Sequence, residues 1–183
     1  GRTALFAVLS VLAIGVGSTL KTGSTLALAR KLSVSRFWDD LADSGATAFV
    51  YIGEVCRYLL AAPPHPRERE HRVTRIVGNG MRPDVWPRFV ERFQTGVVHE
   101  FYAATEGNVN MTNVFGVEGS VGRMPPIPQL DNAFLAKFDQ ETEMPVRDKK
   151  GRCIKCKAGE VGELLGRIDD KYVTSRFDGY VGE

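Results

Sequence analysis

Cysteine is scarce. Cys56, Cys153 and Cys156 are the only ones in 183 residues, an odd number in a chain long enough to bury its own core, so no disulfide framework is implied. Histidine is equally sparse at 3. None of the three stands at ligand spacing from Cys153-x-x-Cys156, which leaves a structural zinc two ligands short. An excess of one charge is also missing: 24 Lys and Arg against 22 Asp and Glu give a net +2. The charges are scattered in both signs, without the basic stripe that a nucleic-acid backbone demands. A membrane-length apolar run is lacking as well. Ala4 to Leu20, ALFAVLSVLAIGVGSTL, is uncharged but falls short of the roughly 18 to 20 apolar residues that span a bilayer. It has neither the basic lead nor the cleavage site of a secretory signal. A buried core helix is expected there, with a membrane-inserted or peripheral segment as the alternative, and a reducing, cytoplasmic setting fits the unpaired thiols. The sequence opens without an initiator methionine and reads as an internal piece of a longer protein.

What is present is ordinary globular material, 43% hydrophobic and 25% charged, which argues against disorder. Short β-branched or aromatic runs alternate with segments of helical period. Ser24 to Arg30 has strand length. Ser33 offers an N-cap to a helix carrying Val34, Phe37, Trp38 and Leu41, with Gly45 suited to its end. Thr47 to Ile52 predicts a strand, and Val55, Tyr58, Leu59 and Ala62 predict a helix that Pro63-Pro64 stops. Val73 to Val77 predicts another strand. Val85, Phe89, Val90 and Phe93 predict a helix from near Pro83, in which Pro87 requires a later start or a kink. Val97 to Tyr102 predicts a further strand. This alternation implies an α/β, doubly wound, largely parallel sheet with helices on both faces. From about Pro125 the texture changes. Ala133 to Phe138, Arg152 to Lys157 and Glu163 to Ile168 read as a small antiparallel β subdomain, giving expected domains of residues 1–124 and 125–183.

In an open parallel sheet, ligands bind beyond the carboxyl ends of the strands. Three such ends stand out: Tyr51-Ile52-Gly53-Glu54, Gly78-Asn79-Gly80-Met81-Arg82-Pro83, and Phe101-Tyr102-Ala103-Ala104-Thr105-Glu106-Gly107-Asn108. Glycines there admit close backbone approach. An aromatic, a hydroxyl and a carboxylate in one loop can stack on a base, bond a phosphate and hold a divalent cation. The bland alternative is a set of ordinary turns with Glu106 a solvated acid. His65 and His71 read as solvated and His99 as a satisfied strand residue, while Arg82 and Arg123 suit phosphate or salt bridges equally.

Tyr102-Ala103-Ala104-Thr105-Glu106 resembles the Tyr-Gly-x-Thr-Glu motif of the adenylate-forming (AMP-binding) superfamily, with Ala103 in place of the glycine. SVSRFWDDL, YIGEVCRYLL, HRVTRIVGNGMRPDVW, EFYAATEGNVN, AGEVGELLGRI and RFDGYV are similar, in the same order, to stretches of fatty acid transport proteins, also called very-long-chain acyl-CoA synthetases. The resemblance runs from about Leu28 to the end. It implies a ligase that uses ATP and magnesium to adenylate a fatty acid and then transfers the acyl group to CoA. By that motif Tyr102 would stack on adenine, Thr105 would bond the α-phosphate and Glu106 would hold magnesium. The backbone of Gly78, Asn79 and Gly80 would wall the adenine. Val121-Gly122-Arg123 resembles the segment that follows the motif. The family's upstream phosphate loop, downstream ribose-binding aspartate and C-terminal lysine domain are not in this sequence, so turnover by this chain alone is not expected. Two alternatives remain at this level: an acyl-binding or fatty-acid uptake protein with degenerate adenylation machinery, and a ligase for another carboxylate, such as a bile acid or a carnitine-like acid.

Overall fold

The computed structural model describes residues 11–104, 107–123, 133–172, 175–177 and 179. They fall into two compact units, one of residues 1–101 and 113–122, the other of residues 102–112 and 123–183.

In the first unit β1 (Ala48–Ile52), β2 (Arg75–Asn79) and β3 (Val97–Tyr102) run parallel in that order. Their register is set by Phe49 opposite Ile76, and Ile76 opposite Val98. Alternation carries the burial: Ile76 and Gly78 point inward on β2, and Val98 and Glu100 on β3. Helix α2 (Phe37–Ser44) ends at Gly45 in the left-handed conformation, φ 63°, as expected of a C-cap glycine. Helix α3 (Gly53–Ala61) stops where Ala62 turns extended, ψ 151°, as the following Pro63 requires. Helix α4 (Trp86–Phe93) begins late enough for Pro87 to fall in its first turn, where no N–H is needed. Its Trp86, Phe89 and Phe93, 3 and 4 residues apart, are all buried. They join Trp38, Leu41, Leu59 and Ile76 in one core. Trp38 lies 4.3 Å from the Phe93 ring, centroid to centroid.

Several expectations are corrected. Ser24 to Arg30 forms no strand and leaves Leu28 69% exposed, since a short apolar run carries no periodicity of its own. Ser33 does not cap α2: Arg36 precedes the helix without a side-chain cap, and the Ser33 carbonyl accepts the Arg36 N–H in a turn. Of the Ala4 to Leu20 run, the described part is a π-helical turn (Val11–Val16) followed by α1 (Gly17–Thr22), and residues 4–10 lie outside the described residues. Helix α1 buries none of its residues. Its sequence, GSTLKT, has a single leucine and hence no apolar face, so the expected buried helix is not realised there. Among the described residues no helix is long and apolar enough to cross a membrane.

In the second unit β5 (Ala133–Asp139) pairs antiparallel with β6 (Met144–Pro145) and β7 (Gly162–Gly166). Arg152 to Lys157 forms two isolated antiparallel bridges, at Cys153 and Lys155, in place of a strand. A short β4 (Met111–Thr112) bridges to Arg123.

Candidate nucleotide site at the strand ends

The carboxyl ends of β1 and β2 meet through glycine. Gly53 opens α3 against the Gly80 peptide: a Cβ there would overlap the Gly80 carbonyl and lie 2.9 Å from the Met81 nitrogen. Gly78 is buried against Tyr51, where a Cβ would meet the tyrosine ring at 2.7 Å. Gly80 has φ +76°, a conformation that glycine adopts without strain. The expected Gly78-Asn79-Gly80 turn is therefore drawn tightly against the first strand end. Within it the Asn79 Oδ1 atom is buried and has no hydrogen-bond partner among the described residues. Its acceptor capacity is thus unused among the described residues.

The strand-end reading overlooked the residue that organises this turn. Glu100, 3% exposed, accepts the Tyr51 hydroxyl at 2.6 Å and the Met81 N–H at 2.8 Å on one oxygen, and the Gly80 N–H at 3.0 Å on the other. Three converging donors match an acceptor-only carboxylate. Burial, and then the hydrogen bond and charge of Glu100, push the Tyr51 hydroxyl well above the ordinary tyrosine range. Burial and the same charge raise the Cys56 thiol. The signal in the sequence was an acid on the inward face of Val97 to Tyr102, two residues from Val98.

Tyr102 closes β3 and is 43% exposed, which leaves ring surface available. Thr105 and Glu106 lie outside the described residues. Further along the chain, Asn108 donates to the carbonyls of Arg167 and Ser175 at 2.9 and 3.2 Å, just past the end of β7. Glu54 is exposed and pairs with Arg57 at 2.7 Å. Arg82 is paired to Asp84 at 2.9 Å. Arg123 exchanges backbone hydrogen bonds with Thr112 at 3.0 and 3.3 Å. His99 bonds the Asn113 carbonyl at 3.2 Å, the satisfied role expected of it. His71 is not the solvated residue expected: it bonds the Phe93 carbonyl at 3.0 Å and stacks on Trp38. His65 lies 3.6 Å from Asp39 and accepts the Arg67 N–H at 3.2 Å.

Comparison with known proteins bears on the family and the fold. Residues 4–174 match the AMP-binding enzyme family. The chain is 47% identical over 171 residues to long-chain fatty acid transport protein 1 of Homo sapiens, covering 93% of this chain and 26% of that protein. It is 45% identical, with 93% and 27% covered, to the medium/long-chain-fatty-acid–CoA ligase FadD6 of Mycobacterium tuberculosis. The chain thus spans about a quarter of the length of these relatives. Among solved structures it resembles ATP-bound MatB from Rhodopseudomonas palustris, with TM-score 0.59 and 18% identity over 93% of this chain and 30% of that one. It also resembles a benzoate CoA ligase from Burkholderia xenovorans, with TM-score 0.56 and 20% identity over 80% and 28%. At these identities the structural likeness concerns the fold. The chain belongs to the AMP-binding enzyme family, among the relatives of fatty acid transport proteins and fatty-acid–CoA ligases.

Proposed function

We propose that this chain is part of the adenylation domain of a longer acid–thiol ligase that converts a long- or very-long-chain fatty acid, ATP and CoA into acyl-CoA. The observation that carries the proposal is its identity, across nearly its whole length, with a fatty acid transport protein and a fatty-acid–CoA ligase. In this reaction the carboxylate oxygen attacks the α-phosphorus, pyrophosphate leaves, the CoA sulfur then attacks the acyl carbon, and AMP leaves. Such chemistry needs positioning and charge neutralisation more than bond-making groups from the protein. The Gly78-Asn79-Gly80 turn would border the adenine, and the unpartnered Asn79 Oδ1 atom suits an exocyclic amine. The exposed ring of Tyr102 would stack on the base. Thr105 would bond the α-phosphate, and Glu106 would hold the magnesium that offsets phosphate charge.

The alternative, an acyl-binding or uptake protein, rests on Ala103 standing where the Tyr-Gly-x-Thr-Glu motif has glycine. The two are separated in the full-length ligase by Glu106→Gln, which keeps size and removes charge. Adenylate formation should slow by about 10²-fold or more, the scale of losing one preorganised electrostatic group, and the magnesium requirement should rise. Transfer from supplied acyl-adenylate to CoA should suffer less. Near-normal adenylation at every magnesium concentration would remove Glu106 from the site. A wild type that binds fatty acid yet makes no AMP or pyrophosphate would favour the alternative.

A further inference from the structure

Glu100 lies outside the motif that resembles the family's nucleotide loop, and nothing in the proposed reaction uses its carboxylate directly. Its placement is nonetheless costly. A carboxylate 3% exposed is retained in a core only where hydrogen bonds compensate for desolvation. All three of its described donors lie at one end of the sheet: the Tyr51 hydroxyl near the end of β1, and the N–H groups of Gly80 and Met81 just after β2. The two backbone donors are consecutive, so the carboxylate fixes two peptide planes at once. Gly53 closes on the same peptide from the other side, with no room for a side chain. The turn is thus held between an ionic anchor and a steric stop. Tyr51, 2% exposed, fixes the anchor in turn by donating to the oxygen that accepts Met81.

We propose that Glu100 is a positioning residue for the nucleotide: by clamping the Gly80 and Met81 peptides it sets the Gly78-Asn79-Gly80 wall, and Tyr51 sets Glu100. This inference rests on the reading of that turn as the adenine wall. Loss of the clamp should weaken ATP binding more than acyl binding, because the turn it fixes is the one read as bordering the adenine.

The test is Glu100→Gln in the full-length ligase, with Tyr51→Phe as the milder variant should the first fail to fold. Gln is nearly isosteric but replaces one acceptor oxygen by a donor that faces N–H or O–H. The expected result is a KM for ATP raised about tenfold, as befits lost charge-assisted bonds, with the KM for fatty acid within about twofold at matched active-site concentration. Tyr51→Phe should raise the ATP KM by about threefold. Hydrogen exchange of the Gly80 and Met81 amides should accelerate in both variants while β3 stays protected. A merely structural Glu100 would lower the active fraction and leave both KM values alone. An active wild type with an unchanged ATP KM in the folded variants overturns the inference but leaves the proposed function standing. A wild type that forms no adenylate overturns both.

Discussion

Gly53→Ala is the sharpest test of how the strand ends are joined. Ala is the better helix former by about 1 kcal/mol, and Gly53 has no positive φ, so local reasoning predicts mild stabilisation of α3. The tertiary structure predicts the opposite. The new Cβ would overlap the Gly80 carbonyl and stand 2.9 Å from the Met81 nitrogen. Restoring ordinary contact needs a shift of roughly 1.5 Å in that peptide. The Glu100 bonds to Gly80 and Met81, at 3.0 and 2.8 Å, do not survive such a shift, because hydrogen bonds weaken beyond about 3.2 Å. Each bond to a charged group contributes about 1.5–3 kcal/mol. Allowing for partial relaxation and the gain in helix propensity, a net loss of about 3 kcal/mol follows. With a urea slope of about 2 kcal/mol/M, the midpoint should fall by about 1.5 M. Gly80→Ala is the comparator: it has open space around it and φ +76°, and should cost about 1–2 kcal/mol from conformation alone. Equilibrium urea denaturation followed by tryptophan fluorescence reads both. A Gly53→Ala midpoint within 0.3 M of wild type, on the order of 0.6 kcal/mol at that slope, would refute the steric stop and the clamp built on it.

Three further outcomes follow. Arg92 holds Glu68 at 2.9 Å while also bonding the carbonyls of Leu60 and Ala62, and its hydrogen bond lowers the Glu68 pKa. A depressed carboxylate pKa contributes stability above the unfolded value, about 4.3, that is lost as pH falls through the lower folded value. Glu68→Gln should therefore cost on the order of 1–2 kcal/mol at neutral pH and progressively less below about pH 4, as read from urea midpoints against pH. A penalty that does not change with pH would contradict the ion pair. In native protein, iodoacetamide should label Cys153 and Cys156 but not Cys56, which is fully buried with its thiol pKa raised. Mass spectrometry before and after unfolding checks this, and elemental analysis should find no stoichiometric zinc on a lone Cys153/Cys156 pair.

Much of the parallel sheet was legible because its signals are local. β-branched and aromatic runs gave β1 and β3, Gly45 and Pro63 gave the ends of α2 and α3, and the helical spacing of Val85, Phe89, Val90 and Phe93 gave α4. Ser24 to Arg30 failed as a strand because an apolar run does not by itself specify a ladder partner. The motif carrying Tyr102, Thr105 and Glu106 was readable as a pattern of residue types, which is how family membership could be anticipated.

The clamp could be settled only in three dimensions. Glu100 looks like one acid in an alternating strand, yet it lies 49 positions from Tyr51 and 19 from Met81 along the chain. Its significance comes from the parallel register that sets Gly78 opposite Glu100 and Tyr51 opposite Gly78. The sequence alone determines which residues can form strands and helices, because propensity and period act over a few neighbours, and it carries the motif that resembles the family's nucleotide loop. Which buried acid meets which backbone N–H depends on strand pairing between distant segments, so only the tertiary structure decided that Glu100, and not the exposed Glu54, organises the end of the sheet.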